Sequence, residues 1–267
     1  SKTVKKLKSL GNTTRFVRID ITRDRNLRKI YLSQEQFLLD VVSSASLQLA
    51  SPKLNPAAIT RNLYTATKGG NTPIRSLVGK LRYAVDNTRP DSLFATSQLS
   101  SAADQGEQHL LASEHLVTYL NNSKHLKLTL GGTDPIFLEC FADSSYIEVS
   151  DSKSQLAYCM RLGKTSGMFL SRSIKDNHVS LSSAESELYA VKEAIQDIVW
   201  SRNLLKFLGY PSNIPTPIYE DNQAVLFLTD TIEVHPRTKN LNKILNFVRE
   251  FIQLQVISLI KIHTSLN

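Results

Sequence analysis

The stretch from Ser182 to Gly209 constrains the fold of this chain most strongly, because its pattern predicts one long amphipathic helix. Ser182 followed by Glu185 forms a capping box, in which the two residues satisfy free backbone N–H groups at the start of a helix. Gly209 stands where a glycine in the left-handed conformation commonly ends a helix. The elements on either side of this helix therefore decide the fold class.

Short, apolar, β-prone segments surround the long helix. Three or four strands precede it, within the runs PIFLECFAD, QLAYCMRLG, GMFLSRSIK and HVSLSS. After it come a strand in IPTPIYED, two helices in NQAVLFLTD and NLNKILNFVREFIQL, and a final strand in VISLIKIHT. This order predicts an α/β fold in which a mixed sheet carries flanking helices.

The first half of the chain has a different, mainly helical pattern. Residues 15–33 alternate apolar and polar side chains around a turn at Asp24, which predicts a β-hairpin. Ser33 is a candidate N-cap for a helix that follows, and residues 50–73 have the composition of a long loop. Three further helices are predicted at 74–88, 90–101 and 107–121. A glycine pair and a proline at the end of residues 121–135 mark a boundary, so we predict two domains, 1–133 and 134–267.

Composition narrows the class of protein. The chain has 267 residues, of which 41% are hydrophobic and 21% charged, as in an ordinary globular protein. Two cysteines make neither a disulfide framework nor a zinc site, which fits a reducing compartment. No apolar stretch approaches the roughly 20 residues that cross a bilayer, so no membrane partner is expected.

The net charge of +8 comes entirely from the N-terminal end. Residues 1–30 contain ten Lys or Arg residues and two Asp residues, and the rest of the chain is balanced. Such a basic surface suits a polyanion, because neutralising phosphates releases counterions. A solvated surface without a partner explains the same charge, and the two interpretations stay open.

Three acidic residues lie where a catalytic site is expected. Asp143 and Asp221 end predicted strands, and Glu187 lies one turn inside the long helix. Ends of adjacent strands and the start of a helix packed over them can converge on one point. Converging carboxylates suit Mg²⁺, and two such ions about 4 Å apart can activate water against a phosphodiester. Any one of these acids alone is better explained as a solvated acid, whereas the three together favour a metal site, with Glu185 left to helix capping.

A basic cluster precedes the last helix. The run VHPRTKN brings together His235, Arg237 and Lys239. These residues either contact phosphate or form part of a solvated loop, and the sequence favours neither.

Several motifs together resemble one family. The run IRSLVGKLRYAVDNTRPDSLFATSQLSS, with Thr88-Arg89-Pro90-Asp91, resembles the thumb or connection helices of copia-type LTR-retrotransposon reverse transcriptases. The runs LSSAESELYAVKEAIQDIVWSRNLLKFLG, IYEDNQAV and HPRTKN resemble successive motifs of the ribonuclease H domain in the same Pol polyproteins. The chain is therefore similar to the C-terminal part of Pol over nearly its whole length.

This resemblance has implications for fold, site and partners. It implies a reverse transcriptase palm end and thumb/connection region at 1–133, followed by a ribonuclease H-like domain at 134–267. It implies two Mg²⁺ or Mn²⁺ ions, an RNA–DNA hybrid as substrate, the remainder of the Pol polyprotein as partner, and a location in cytoplasmic virus-like particles or the nucleus. The implied metal ligands and catalytic residues are Asp143, Glu187 and Asp221. The implied nucleic-acid contacts are Asn222, Gln223, His235, Arg237 and Lys239.

The chain also departs from the family pattern. Asn240 and Asn242 replace a His and an Asp of the family motif, and Ser145 replaces a second Asp. In the family, a fourth acid lies beyond the position of residue 267 and the polymerase aspartates lie upstream of residue 1. These differences keep a second hypothesis open, a non-catalytic nucleic-acid-binding relic. A transposase or integrase of the same general fold fits less well, because the hairpin and the Arg-Pro-Asp helix belong with reverse transcriptase.

Overall fold

The computed structural model describes residues 11–45, 51–57, 74–101, 106–145, 153–180, 182–230 and 239–263. The predicted hairpin is present as strands β2 (Ile19–Asp24) and β3 (Lys29–Ser33). The carboxylate of Asp24 closes the turn, because it accepts hydrogen bonds from the backbone N–H groups of Asn26 and Leu27 at 2.9 and 3.0 Å.

The hairpin belongs to a four-stranded antiparallel sheet. Strand β1 (Arg15–Phe16) pairs with β2 on one side, and strand β4 (Leu128–Gly131) pairs with β3 on the other. Leu32 of β3 lies opposite Leu128 of β4. The sequence reading missed β4, which lies inside the segment interpreted only as a linker.

Helices fill the remainder of the first half. They are α1 (Glu35–Ala45), α2 (Arg75–Thr88), a 3₁₀ turn (Pro90–Ser92), α3 (Leu93–Ser101) and α4 (Glu107–Asn122). The predicted loop at 50–73 contains no helix or strand at 51–57, and the rest of it lies outside the described residues. These helices share one apolar core, formed by Phe37, Leu38, Val41, Val78, Leu81, Leu99, Leu116 and Leu120.

The Thr-Arg-Pro-Asp motif fixes the geometry between α2 and α4. The side chain of Arg89 is only 3% exposed and forms an ion pair with Asp91, with Nη2 and Oδ2 2.7 Å apart. Arg89 also donates to the backbone carbonyl and the hydroxyl of Ser123, just after α4. A buried guanidinium with all these partners holds the 3₁₀ turn in one position.

The second half contains a five-stranded mixed sheet. Its strands are β5 (Leu138–Ser145), β6 (Gln155–Leu162), β7 (Met168–Lys175), β8 (Thr216–Glu220) and β9 (Ile257–Lys261), in the spatial order β7-β6-β5-β8-β9. Strands β5, β6 and β7 are antiparallel, whereas β8 runs parallel to β5 and β9 runs parallel to β8. The predicted α/β architecture is confirmed, with three strands before the long helix, since the described part of HVSLSS contains no strand.

Three helices pack with this sheet. They are α5 (Ser183–Phe207), α6 (Gln223–Asp230) and α7 (Lys239–Gln253). The ends of α5 are as predicted: the Ser182 hydroxyl accepts a hydrogen bond from the Glu185 N–H at 3.2 Å, and Gly209 has φ of +89°. The core between α5, α7 and the sheet contains Cys140, Ala142, Met160, Leu188, Ile195, Ile198, Ile218, Leu245 and Val248.

The two halves contact each other along β7. The Ser97 hydroxyl on α3 donates to the carbonyl of Ser173 at 2.9 Å, and the Gly167 N–H donates to the carbonyl of Thr129 at 2.7 Å. Each half nevertheless has its own apolar core. The boundary near residue 133 stays a prediction. Among the helices that the structure describes, none has both the length and the apolar character of a membrane span.

Candidate active site

The three predicted acids lie together at the end of the five-stranded sheet where the carboxyl ends of β5 and β8 meet. One ligand oxygen from each of Asp143, Glu187 and Asp221 lies within 4.8 Å of the others. The topology explains this convergence, because β5 and β8 are parallel neighbours and their carboxyl ends reach the same edge. The start of α5 is tied to the same edge by a hydrogen bond of 2.7 Å between the hydroxyls of Ser144 and Ser186.

Burial and mutual repulsion dominate the electrostatics of the group. Glu187 is 5% exposed, and its Oε2 atom has no hydrogen-bond partner among the residues that the structure describes. Burial, followed by the charges of Glu220 and Asp143, raises the pKa of Glu187 to about 9. Asp143 is exposed, yet partial desolvation of its carboxylate and the charge of Asp221 also raise its pKa. Within the described part of the chain, no positively charged group offsets these increases in the pKa values of Asp143 and Glu187.

Glu220 is a fourth acid in this region that sequence reasoning missed. It is fully buried, and its Oε1 accepts the Asn222 N–H at 3.0 Å. Its Oε2 has no hydrogen-bond partner within the described ranges of the chain. Burial is the main cause that raises the pKa of Glu220 to about 8. The adjacent acids Glu220 and Asp221 at the end of a predicted strand were the feature of the sequence that could have revealed it. Alternation along the strand sends these two side chains to opposite faces.

The donor set fits a hard divalent cation. Carboxylate oxygens are the ligands that Mg²⁺ and Mn²⁺ take in proteins. A bound cation would partner the unsatisfied oxygen of Glu187 and reverse the effect of repulsion on the pKa values of the group. Asp143, Glu187 and Asp221 are therefore the residues that could hold a metal.

Comparisons with known proteins agree with the resemblance seen in the sequence. The Pol polyprotein of transposon TNT 1-94 from Nicotiana tabacum is 28% identical over 272 residues, covering 98% of this chain. The Pol polyprotein of transposon RE1 from Arabidopsis thaliana is 28% identical over 240 residues, covering 88% of this chain. The chain is therefore similar over most of its length to retrovirus-related Pol polyproteins of transposons. It spans 20% and 16% of the length of those two relatives.

Other comparisons agree with the fold or cover less of this chain. No family model matches it. Secreted RxLR effector protein 161 of Plasmopara viticola is 34% identical over 49% of this chain and 92% of that protein. The foamy viral protease-reverse transcriptase dRH in complex with ds DNA covers 94% of this chain and 38% of that chain, with 15% identity and a TM-score of 0.51. The reverse transcriptase likeness and the sheet topology confirm the predicted fold, a ribonuclease H-like sheet after a mainly helical region with a hairpin.

The structure describes only some of the residues predicted to contact nucleic acid. Asn222 and Gln223 follow Asp221 directly; the Asn222 side-chain oxygen accepts the Ala224 N–H at 2.9 Å, and that of Gln223 accepts from Lys261 at 3.0 Å. His235 and Arg237 lie outside the described residues, as does the side chain of Lys239, the first residue of α7. Contact with nucleic acid stays a prediction for all five residues.

Proposed function

We propose that this chain carries a ribonuclease H-type endonuclease site, which cleaves the RNA strand of RNA–DNA hybrids as part of a retrotransposon reverse transcriptase. The observation that carries this proposal is the group of three carboxylates from β5, α5 and the end of β8, within 4.8 Å of one another. The similarity to retrovirus-related Pol polyproteins of transposons supports the same function.

Asp143, Glu187 and Asp221 would hold two divalent cations, Mg²⁺ or Mn²⁺. When bound, such ions lower the pKa of water and neutralise charge on a phosphodiester. Only Glu187 of the three is deeply buried, so the exposed Asp143 and half-buried Asp221 leave the group open to a substrate phosphate.

Neighbouring residues keep the three carboxylates in position. The bond between Ser144 and Ser186 couples the strand that carries Asp143 to the helix turn that carries Glu187. The buried Glu220 is next to Asp221 in the chain, and burial raises its pKa to about 8, so it is largely protonated in the metal-free protein. A cation bound at the neighbouring acids would lower this pKa and favour ionised Glu220. Asn222 holds Glu220 through its N–H group, so it contributes to the site even before any contact with nucleic acid.

The proposed substrate is an RNA–DNA hybrid because the chain is similar to retroelement Pol polyproteins. The basic N-terminal end suits a nucleic acid of either kind. Contacts to 2′-hydroxyl groups distinguish RNA from DNA. Asn222, Gln223, His235, Arg237 and Lys239 are proposed to contact the nucleic acid beside the acids, and the basic N-terminal end contributes attraction that does not depend on sequence.

The test is cleavage of labelled nucleic acid in Mg²⁺ or Mn²⁺, with hybrid, double-stranded RNA and double-stranded DNA compared. The wild-type chain is expected to cut only the RNA strand of the hybrid, and EDTA or Asp143→Asn is expected to abolish the cut. Hybrid binding without cleavage in either metal would contradict the proposal and favour the non-catalytic relic.

A further inference from the structure

A cleft of about 370 Å³ lies between the start of α3 and the face of the five-stranded sheet that is turned away from α5. Its lining includes Phe94 from α3, Phe141 and Asp143 from β5, and small residues from β6 and β7. Asp143 therefore belongs both to this cleft and to the acid group. The cleft opens directly beside the proposed catalytic site.

The floor of the cleft is flat because small side chains occupy neighbouring strands. Asp143 lies opposite Ala157, which lies opposite Ser173. In the next row, Phe141 lies opposite Cys159, which lies opposite Ser171. Residues directly opposite one another share a face of the sheet, so these two rows form one surface.

The wall of the cleft is held rigidly. The hydrogen bond from Ser97 to the Ser173 carbonyl fixes α3 to β7 one turn after Phe94. The buried ion pair between Arg89 and Asp91 fixes the 3₁₀ turn that precedes Phe94. The cleft is consequently formed before any ligand binds, which reduces the entropy lost on binding.

The three aromatic residues that line the cleft differ in what they offer to a ligand. Tyr158 is buried, and its hydroxyl donates to the carboxylate of Asp197 at 2.8 Å. The ring of Phe141 stacks on Tyr219 with centroids 4.8 Å apart, and the guanidinium of Arg161 lies 5.0 Å from its centroid. Phe94 is 44% exposed, and its ring forms no aromatic pair with any residue that the structure describes. Phe94 is therefore the ring with a face available for stacking.

We propose that this cleft binds one nucleobase of the substrate strand, stacked on Phe94. The inference rests on the proposed function, because it places the base beside a phosphate held at Asp143. An apolar wall with a flat floor suits a planar ring, whereas a phosphate or a free cation needs charged partners. Besides Asp143, the charged residues of the lining are Asp91 and Arg172, and these are already paired with Arg89 and Asp197. Stacking of bases on aromatic side chains is independent of base identity, so the cleft contributes affinity and register without sequence preference.

The test combines side-chain and base deletions. Phe94→Ala is compared with Phe94→Trp, which keeps a stacking surface, and with Phe207→Ala, which removes an exposed ring at the far end of α5. Binding of a labelled hybrid is measured by fluorescence anisotropy in EDTA, so that no cleavage contributes. We expect Phe94→Ala to bind about tenfold more weakly, and Phe94→Trp and Phe207→Ala to bind like the wild type.

A scan of single abasic sites along the RNA strand identifies the stacked base. At one position, an abasic site is expected to weaken binding of the hybrid to the wild type about tenfold. The same abasic site should weaken binding to Phe94→Ala by less than about a further twofold, because the base and the ring form one contact. Equal abasic effects in both proteins, or wild-type binding by Phe94→Ala, would overturn the inference even if the wild type cleaves the hybrid. A different outcome is that the base and the ring are coupled in binding, but neither the wild type nor any variant cleaves the hybrid. That outcome would contradict the proposed nuclease function while supporting the cleft as a base-binding site.

Discussion

At the scale of single residues, the buried carboxyl group of Glu187 links the site to stability. Its pKa is raised from 4.5 to about 9 in the folded, metal-free protein. The favourable contribution of the protonated group is complete below pH 4.5 and is lost as the pH rises towards 9, because the unfolded chain releases the proton first. Glu220 acts in the same direction up to about pH 8.

We therefore predict that the free energy of unfolding in EDTA decreases between pH 5 and pH 9, by of the order of 1 kcal/mol per pH unit for each such group. Glu187→Gln should flatten this dependence and be at least as stable as the wild type at pH 8. Urea denaturation across this pH range measures the effect, with Glu185→Gln, two residues earlier on the same helix, as the matched control. Parallel curves for Glu187→Gln and the wild type would show that Glu187 is ionised in the fold.

A second prediction at this scale concerns Asp143 and Asp221. Asp143→Asn and Asp221→Asn should each abolish cleavage while leaving the metal-free protein no less stable, because removing one of several like charges relieves repulsion. Thermal unfolding in EDTA and a cleavage assay on the same preparations test both parts. A fall in Tm of more than about 4 °C would mean a loss of roughly 1 kcal/mol or more, and would assign these acids a structural role.

At the scale of elements, the sequence predicted the long helix from residues close together in the chain. It did not predict strand β4, whose pairing depends on contacts between distant segments. Ser182 and Gly209 marked both ends of α5, because capping depends on residues within one turn. Strand β4 was missed although LKLTL alternates, because its partner β3 lies on the other side of four α-helices in the sequence. Such a pairing is set by the tertiary approach of the segments.

The N-cap of α5 yields a prediction at the same scale. Ser182→Ala removes the hydroxyl that accepts the Glu185 N–H, and should lower the free energy of unfolding by about 1 kcal/mol. Ser182→Asp retains an acceptor at this position and should restore most of the loss. Chemical denaturation of both variants tests this, and equal stability of Ser182→Ala and the wild type would show that the cap contributes nothing.

At the scale of the whole molecule, two apolar cores lie on either side of residues 131–135. We predict that limited proteolysis cuts first near this junction and leaves two resistant fragments. Gly167→Ala should accelerate the cut, because an added Cβ would lie 2.7 Å from the Thr129 carbonyl and disturb the contact between β4 and β7. One resistant core that spans the junction would contradict the division into two domains.

In the site, as in the fold, the sequence predicted features set by the order of the elements and missed those set by tertiary packing. The convergence of Asp143, Glu187 and Asp221 was predictable, since strand ends and a helix start define one edge of a parallel pair. The cleft beside Phe94 was not, because it depends on how α3 approaches the sheet. The burial of Glu220 likewise depends on which face of β8 the helices cover.

The proposed metal site is tested most directly by titrating Mn²⁺ into the metal-free protein and monitoring its binding by electron paramagnetic resonance. The wild type is expected to bind Mn²⁺ saturably, and Asp143→Asn and Asp221→Asn are expected to lose most of this binding, because each removes a carboxylate ligand. Glu193→Gln, a change on the same helix outside the acid group, should bind like the wild type. Absence of saturable binding in the wild type, or equal binding by Asp143→Asn, would contradict the claim that these carboxylates form a metal site.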